Sequence, residues 1–542
     1  MRSTNATAMR AGLGVLLALL AAPRGWTVVP SRLQVNPLFV AHYRPQPALT
    51  DRGEAAVARE RERLSRERAQ SRGDTGTEER TRLPAASPST AVGTEYQEAL
   101  ELFRDGQIDA ALESLSEDRL RRAAAESNQE PQDAGSGWLL RGRILALRAD
   151  FAGAESAYGE AVRVASVSYE AWFQYANFQH QRNRHREARL GYQRALPLAR
   201  ADGTQAEVAQ TLNNLGVLHS EENRKAASRR AHEEALRIRR ALAREDPESY
   251  LADVATSLTN LGVLHRAENR QADARRAYEE ALRIRRGLEY EYPGVYLPDI
   301  TITLNNLGNL HRQENRHADA RVSYEEALRI RRRLAEANPE TYLPDVAVTL
   351  NNLATLERDE GHWAEARQDY EEALDIYRRL EQENPEAFRA FVAITLNNLG
   401  GLHRDDNRPA DAREAYEEAL RIYRALAQKN ADVFLPNVAM ALNNLGVLHQ
   451  DEARLADARR NYEEALHIRR TLAQKNPAAY LPDVALSLNS MGLLLRAENR
   501  MAAARSAFEE ARDIFNRFAA MAPATYAPRL RSVESNLAEL GE

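Results

Sequence analysis

Histidine is the one metal-binding and proton-carrying side chain that recurs in a fixed place. His219, His265, His311, His403 and His449 occupy one slot of a pattern that returns every 46 residues. A zinc site would need several of them to converge on one ion at about 2 Å. Equivalent residues of stacked helical repeats lie on the order of 10 Å apart, the spacing of packed helices, so such a row cannot share a metal. Glu357 and Leu495 also fill the slot, and the expectation is a half-buried packing position near a turn. The sequence contains no Gly-rich phosphate loop, no nucleophile elbow and no His pair at metal spacing on one helix. Its lack of cysteine excludes disulfides, thiolate zinc and a thiol nucleophile. Enzymes need one asymmetric constellation, whereas this chain offers the same residues seven times. The reading is a non-enzymatic protein with no catalytic residue, metal or cofactor.

Two other slots carry polar chemistry. Asn213, Asn305, Asn351, Asn397, Asn443 and Asn489 stand in register, with Thr259 in the copy that differs. Asn both donates and accepts hydrogen bonds, so a row of them can bind the backbone of an extended peptide; the alternative is a plain polar surface position. Further along each copy come Arg266, Arg312, Arg358, Arg404 and Arg496, whose guanidinium forks suit acidic groups. The second residue of each Asn pair, as in Asn214, Asn260, Asn306, Asn352, Asn398 and Asn444, is expected to make structural bonds between helices.

The elements that position these slots are helical. In the copy spanning 293–338, Pro298 and Asp299 suit the first turn of a helix, and Leu304, Leu307 and Leu310 fall on one face. Gly308 lets a neighbouring helix approach. Glu314-Asn315-Arg316 ends this first helix, a second runs from Ala318 to about Ala337, and Asn338-Pro339 stops it. Gly216, Gly262, Gly308, Gly400, Gly446 and Gly492 share one slot with Ala354, and Tyr278, Tyr324, Tyr370, Tyr416 and Tyr462 share another with His232 and Phe508. Glu325, Glu326, Arg329, Arg331 and Arg332 read as a solvated outer face with Glu325 and Arg329 paired at i,i+4. Self-similarity at this period marks a solenoid whose units cannot bury their apolar faces alone.

The rest of the chain is divided accordingly. Arg2 and Arg10 precede an apolar run from Ala11 to Ala22, too short to span a bilayer comfortably where about 20 residues are needed. Residues 1–23 therefore read as an export signal, or else as an uncleaved anchor or a chance apolar start. No other stretch reads as apolar enough to cross a membrane. Residues 24–93, charged and Pro-rich, read as a largely disordered tether, 94–137 as a helical hairpin with a loop from Ser127 to Ser136, and 523–542 as a polar capping helix. Lys and Arg (74) nearly balance Asp and Glu (79), which leaves no electrostatic footprint for nucleic acid.

Trp138, Gly142, Tyr158 and Ala161 are matched 34 residues later by Trp172, Ala176, Tyr192 and Ala195. This spacing of bulky, small, aromatic and small residues resembles the tetratricopeptide repeat (TPR), and the seven units of 201–522 resemble the longer form found in kinesin light chains. The resemblance implies an all-α TPR solenoid, a right-handed superhelix of antiparallel helix pairs, with two 34-residue units over 138–200 and seven 46-residue units after them. The twelve added residues are expected mostly in the second helix. The resemblance also implies that the first helices form a concave wall, so that the first Asn row faces a ligand groove and the Arg row flanks it. The function so implied is a scaffold binding a protein or extended peptide; the alternative is a regulatory sensor or adaptor controlling a separately encoded enzyme. The expected location is exported or membrane-tethered, with the membrane touched only through the N-terminal segment, and a cytoplasmic location stays open.

Overall fold

The computed structural model describes residues 91–126, 131–148, 150–201, 205–222 and 224–541. The expected export segment 1–23 and all but the last residues of the tether lie outside the described residues. Every regular element among the described residues is an α-helix: α1 (Ala91–Arg104), α2 (Ile108–Ser114), α3 (Glu117–Glu126), α4 (Pro131–Leu147), α5 (Phe151–Val164), α6 (Tyr169–Gln181), α7 (His185–Ala201), α8 (Gln205–Glu221), α9 (Lys225–Glu245), α10 (Pro247–Ala267) and α11 (Gln271–Glu291). The series continues with α12 (Leu297–Gln313), α13 (His317–Ala337), α14 (Pro339–Glu360), α15 (Trp363–Glu383), α16 (Pro385–Asp405), α17 (Pro409–Lys429), α18 (Ala431–Asp451), α19 (Leu455–Lys475), α20 (Pro477–Ala497), α21 (Met501–Met521) and α22 (Pro523–Ala538).

These helices form two compact units, 91–257 and 258–541, which divide inside α10. In the second unit each helix from α12 onward packs chiefly on the helices before and after it, with slighter contact between successive first helices such as α12 and α14. That is a solenoid. The first unit is built likewise from the pairs α4/α5, α6/α7 and α8/α9, around Phe103, Trp138, Tyr158 and Tyr192.

Three local devices set the period. Asn338, Asn384, Asn430 and Asn476 each stand alone between a second helix and the next first helix, and each side chain accepts the N–H three residues on. This is N-capping, which satisfies an amide that has no partner in the helix. Between first and second helix the chain turns through a left-handed residue, Asn269, Asn315, Asn407, Asn499, Gly361 or Ala453. Arg316 N–H then donates back to His311 O at 2.8 Å, closing the end of α12. Inside each pair the small slot meets the ring slot. A Cβ added to Gly308 would lie 2.5 Å from Tyr324 Cε1, and Gly262, Gly446 and Gly492 repeat that approach to Tyr278, Tyr462 and Phe508.

Several boundaries differ from the sequence reading. The expected loop Ser127–Ser136 contains the start of α4, because Pro131 suits the first helical position. The added length of the long units is shared by both helices: α14 has 22 residues and α15 has 21, against 13 in α6 and 17 in α7. The Asn caps start α14, α18 and α20 early, so Pro344, Pro436 and Pro482 lie inside them. By contrast α12 starts late, at Leu297, with Pro298 in its first turn. There Tyr292 replaces the cap, and the Glu289 carboxylate accepts from Gly294 N–H and Tyr296 N–H instead. The helices α18 and α20 are also long and apolar enough by composition to cross a membrane, which the sequence reading did not see, but most of each is buried in the stack.

Candidate functional site

The first helices carry the candidate site, and their faces can be assigned in turn. In α12, Leu304, Leu307 and Gly308 turn towards α13, and Asn305 turns towards α14. Asn305 Nδ2 donates to Thr301 O and to Thr349 Oγ1, both at 3.2 Å. Asn351 repeats the arrangement with Ala347 O and Thr395 Oγ1 at 3.1 Å. The second Asn of each pair reaches back: Asn352 Nδ2 donates to Asn305 Oδ1 at 3.2 Å, and Asn444 Nδ2 to Asn397 Oδ1 at 2.9 Å. Asn536 of the terminal helix closes the ladder on Asn489 at 2.8 Å. Asn213 and Asn443 are buried as well. Asn214 keeps its amide on Asn177 Oδ1 at 3.0 Å. The sequence placed the first Asn row on a ligand groove; the structure commits the amides of Asn305, Asn351, Asn397 and Asn489 to the seams between first helices.

The arginine row is committed too. Arg312 Nη1 pairs with Asp359 at 2.7 Å, and Arg358 Nε with Asp405 Oδ2 at 2.8 Å, each carboxylate lying on the next first helix. Arg404 Nη2 takes the other oxygen of Asp405 at 2.8 Å. Arg496 pairs with Glu539 beside the terminal helix. Arg266 is buried as well. Arg312, Arg358, Arg404 and Arg496 are thus paired within the stack, so acidic groups on a ligand would compete with Asp359, Asp405 and Glu539 for them.

The expected outer face needs a correction at Arg331. This residue is 1% exposed. Its Nε donates to Thr301 Oγ1 at 3.1 Å, and its Nη1 to Thr349 Oγ1 at 2.6 Å and Asp345 O at 2.9 Å. Arg239 and Arg469 make the same bonds to Ser257 and Ser487 at 2.8 and 2.6 Å. Burial holds the Arg331 guanidinium below its ordinary pKa. Tyr377 and Tyr423 fill this slot elsewhere, also buried. Neighbouring members of the charged run do lie outside, where Arg286 pairs with Glu326, Arg332 with Glu372 and Arg424 with Glu464 at 2.6–2.8 Å. The histidine slot is more buried than expected, with His311 and His403 at 6% exposure and held below the ordinary histidine pKa chiefly by burial.

The remaining side of each first helix carries a row that the sequence reading passed over. Ile302, Val348, Ile394, Met440 and Leu486 stand three residues before the first Asn, and Asn309, Thr355, Gly401, Val447 and Leu493 lie on the same face seven residues on. Ile302, Val348 and Ile394 are buried, while Met440, Val447, Leu486 and Leu493 are half-buried. Aligning the copies would have revealed this row, since its first position is apolar in five consecutive units.

Comparison with known proteins agrees with this architecture. Tetratricopeptide repeat families match residues 139–206, then 208–248, 254–288, 302–340 and 438–477, and finally 345–425. Together these matches cover more than half of the chain. Among solved structures, BtubC (BKLC) from P. vanneervenii is 24% identical with a TM-score of 0.38, over 46% of this chain and 92% of its own. The apo form of RapI is 15% identical with a TM-score of 0.43, over 56% and 99%. The apo form of the quorum sensor NprR from B. thuringiensis is 15% identical with a TM-score of 0.47, over 70% and 98%. At these scores the likenesses bear on neither partner nor activity. No curated protein sequence matches. On the repeat matches and the packed helix pairs together, the chain belongs to the tetratricopeptide repeat family.

Proposed function

We propose that this protein is a non-enzymatic scaffold that binds a protein or peptide along the open side of its first helices. The observation that carries the reading is the apolar row, half-open at Met440, Val447, Leu486 and Leu493. Such a row offers a ligand several modest apolar contacts in sequence, each side chain supplying on the order of 1 kcal/mol or less once partial exposure is counted. The Asn and Arg ladders beside it fix the spacing from one unit to the next. Their amides and guanidinium groups act through that spacing, which suits an uncharged stretch of partner chain better than an acidic one. The apolar segment Ala11–Ala22 serves, on this reading, to export or tether the array, and cell fractionation tests that part.

A photocrosslinking amino acid at Val447 or Leu493, compared with one at Arg421 or His467 on the exposed outer side, tests the assignment in cells that make the full chain. Adducts of defined mass from the first two positions and none from the second two are expected. Adducts only from the outer positions would overturn the wall as the binding surface.

A further inference from the structure

The hairpin of α14 and α15 breaks the pattern of its neighbours at two slots that face each other. In α18/α19 the same slots hold His449 and Asn461, whose Nδ1 and Nδ2 lie 3.0 Å apart. In α14/α15 they hold Glu357 and Asp369, where most units carry His on one side and Ala231, Ala277, Ser323 or Ala415 on the other. Glu357 is 5% exposed. Its Oε1 accepts from Arg321 Nη1 at 3.1 Å, but Arg321 also serves Glu360 Oε2 at 2.6 Å. Glu357 Oε2 and Asp369 Oδ2 are both shielded from solvent and have no hydrogen-bond partner among the described residues.

Two carboxylates cannot both stay ionised in such a place without repelling each other. Burial, with Glu357 and then Glu372 as neighbouring charges, pushes the Asp369 carboxyl up to about 7, against the opposing pull of Arg332 and Arg321. Burial also raises Glu357, with Glu365 adding to the effect, while Arg321 and His362 oppose it. On the side of α15 that meets α16, Arg367 is already held by Asp406 at 2.6 Å and offers no free counter-charge.

We propose that Glu357 and Asp369 share one proton and that its loss to solvent loosens the α14/α15 hairpin, making one unit of the array a pH-sensitive joint. The unfolded hairpin would release this proton at an ordinary carboxyl pKa. The stabilisation it gives is therefore fully present only below the unfolded carboxyl value of about 4, declines through mild acid, and is lost once pH passes the folded value of about 7. The other hairpins lack the acid pair and do not share this trend.

Hydrogen exchange of the full chain between pH 5.5 and 8.5, corrected for intrinsic rates, tests the joint. Protection of the segment 355–372 is expected to fall about tenfold between pH 6 and pH 8, since a carboxyl with a folded value of about 7 goes from about nine-tenths to about one-tenth protonated over that interval while the open hairpin stays deprotonated throughout. Asp369→Ala, which restores the residue found at 231, 277, 415 and 507, should abolish that fall, and Glu357→His should do the same. The segment around His449 and Asn461 serves as the internal reference. A flat profile in the natural chain, or an equal fall in Asp369→Ala or in the reference segment, would overturn the proposal.

Discussion

Two glycine-to-alanine substitutions in the second compact unit should move stability in opposite directions. At Gly308 the added Cβ would lie 2.5 Å from Tyr324 Cε1 and 2.7 Å from Cδ1, so the ring must shift. That shift endangers the bond from the Tyr324 hydroxyl to Asn309 Oδ1, 2.9 Å long and fully buried. Overpacking costs about 1–3 kcal/mol and the lost hydrogen bond about 1 kcal/mol. Better helix propensity returns at most about 1 kcal/mol. The net expectation for Gly308→Ala is a loss of about 1–3 kcal/mol. At Gly287, inside α11, an added Cβ meets nothing within 4 Å, so Gly287→Ala keeps the propensity gain and stabilises by about 0.4–1 kcal/mol. Because a repeat array need not unfold in one step, the assay is native-state hydrogen exchange. It would follow the segment 300–330 for the first variant and 275–295 for the second. Shifts of the same sign in both would refute the claim that the glycine slot exists to admit the ring. Ala354 fills the slot opposite Tyr370, whose hydroxyl meets Thr355 Oγ1 at 2.8 Å instead, so the ring can be accommodated when its partner moves.

Three further outcomes follow from the packing. Arg331→Met should change stability by less than about 1.5 kcal/mol, because relief of the buried charge offsets the lost hydrogen bonds, whereas Arg331→Ala should cost about 2–4 kcal/mol through the cavity it leaves; denaturant midpoints separate the two, and equal large losses would show that the hydrogen bonds dominate. Ala453 holds φ at 59° where other units have Asn, so Ala453→Asn should stabilise by about 0.5–1 kcal/mol, and an unchanged or lower midpoint contradicts the strain. His219, His311, His403 and His449 all titrate below the ordinary histidine value, chiefly through burial. The unfolded chain therefore binds protons first as pH falls below about 6.5, and stability is lost on acidification. Thermal midpoints should fall from pH 7 to pH 5, opposite in sign to the α14/α15 hairpin, and a rise over that range would refute the histidine assignment.

What the sequence disclosed and what it hid follow from geometry. Helix identity and period were legible because Leu304, Leu307, Gly308 and Tyr324 act inside one helix pair, where spacing along the chain fixes who meets whom. The turn at Asn315 was legible for the same reason. Partners across units were not. Arg358 bonds Asp405, 47 residues away, while Asp359 stands beside it in sequence and serves Arg312 instead. A charge run such as Arg329 to Arg332 looks uniform, yet Arg331 points inward and Arg332 outward, because adjacent helical positions differ by about 100°. The matching hydroxyls at Ser257, Thr303, Thr349 and Ser487 were the available signal, visible only when whole units are compared. The Asn row was read as surface because its partner hydroxyls, Thr349 and Thr395, belong to the following unit.

Removing one whole unit tests most directly whether each pair leans only on its neighbours. Deleting residues 431–476 joins Asn430 to Pro477, the same junction that Asn476 makes with it now. Arg424, which holds Glu464 at 2.6 Å, would then face Glu510, and Arg413, paired with Glu452, would face Glu498. Hydrogen exchange of the shortened chain should show α12 to α16 protected as before and α20 to α22 docked on α17. Loss of protection in α12 and α13, three units from the cut, would contradict a stack held together by nearest neighbours.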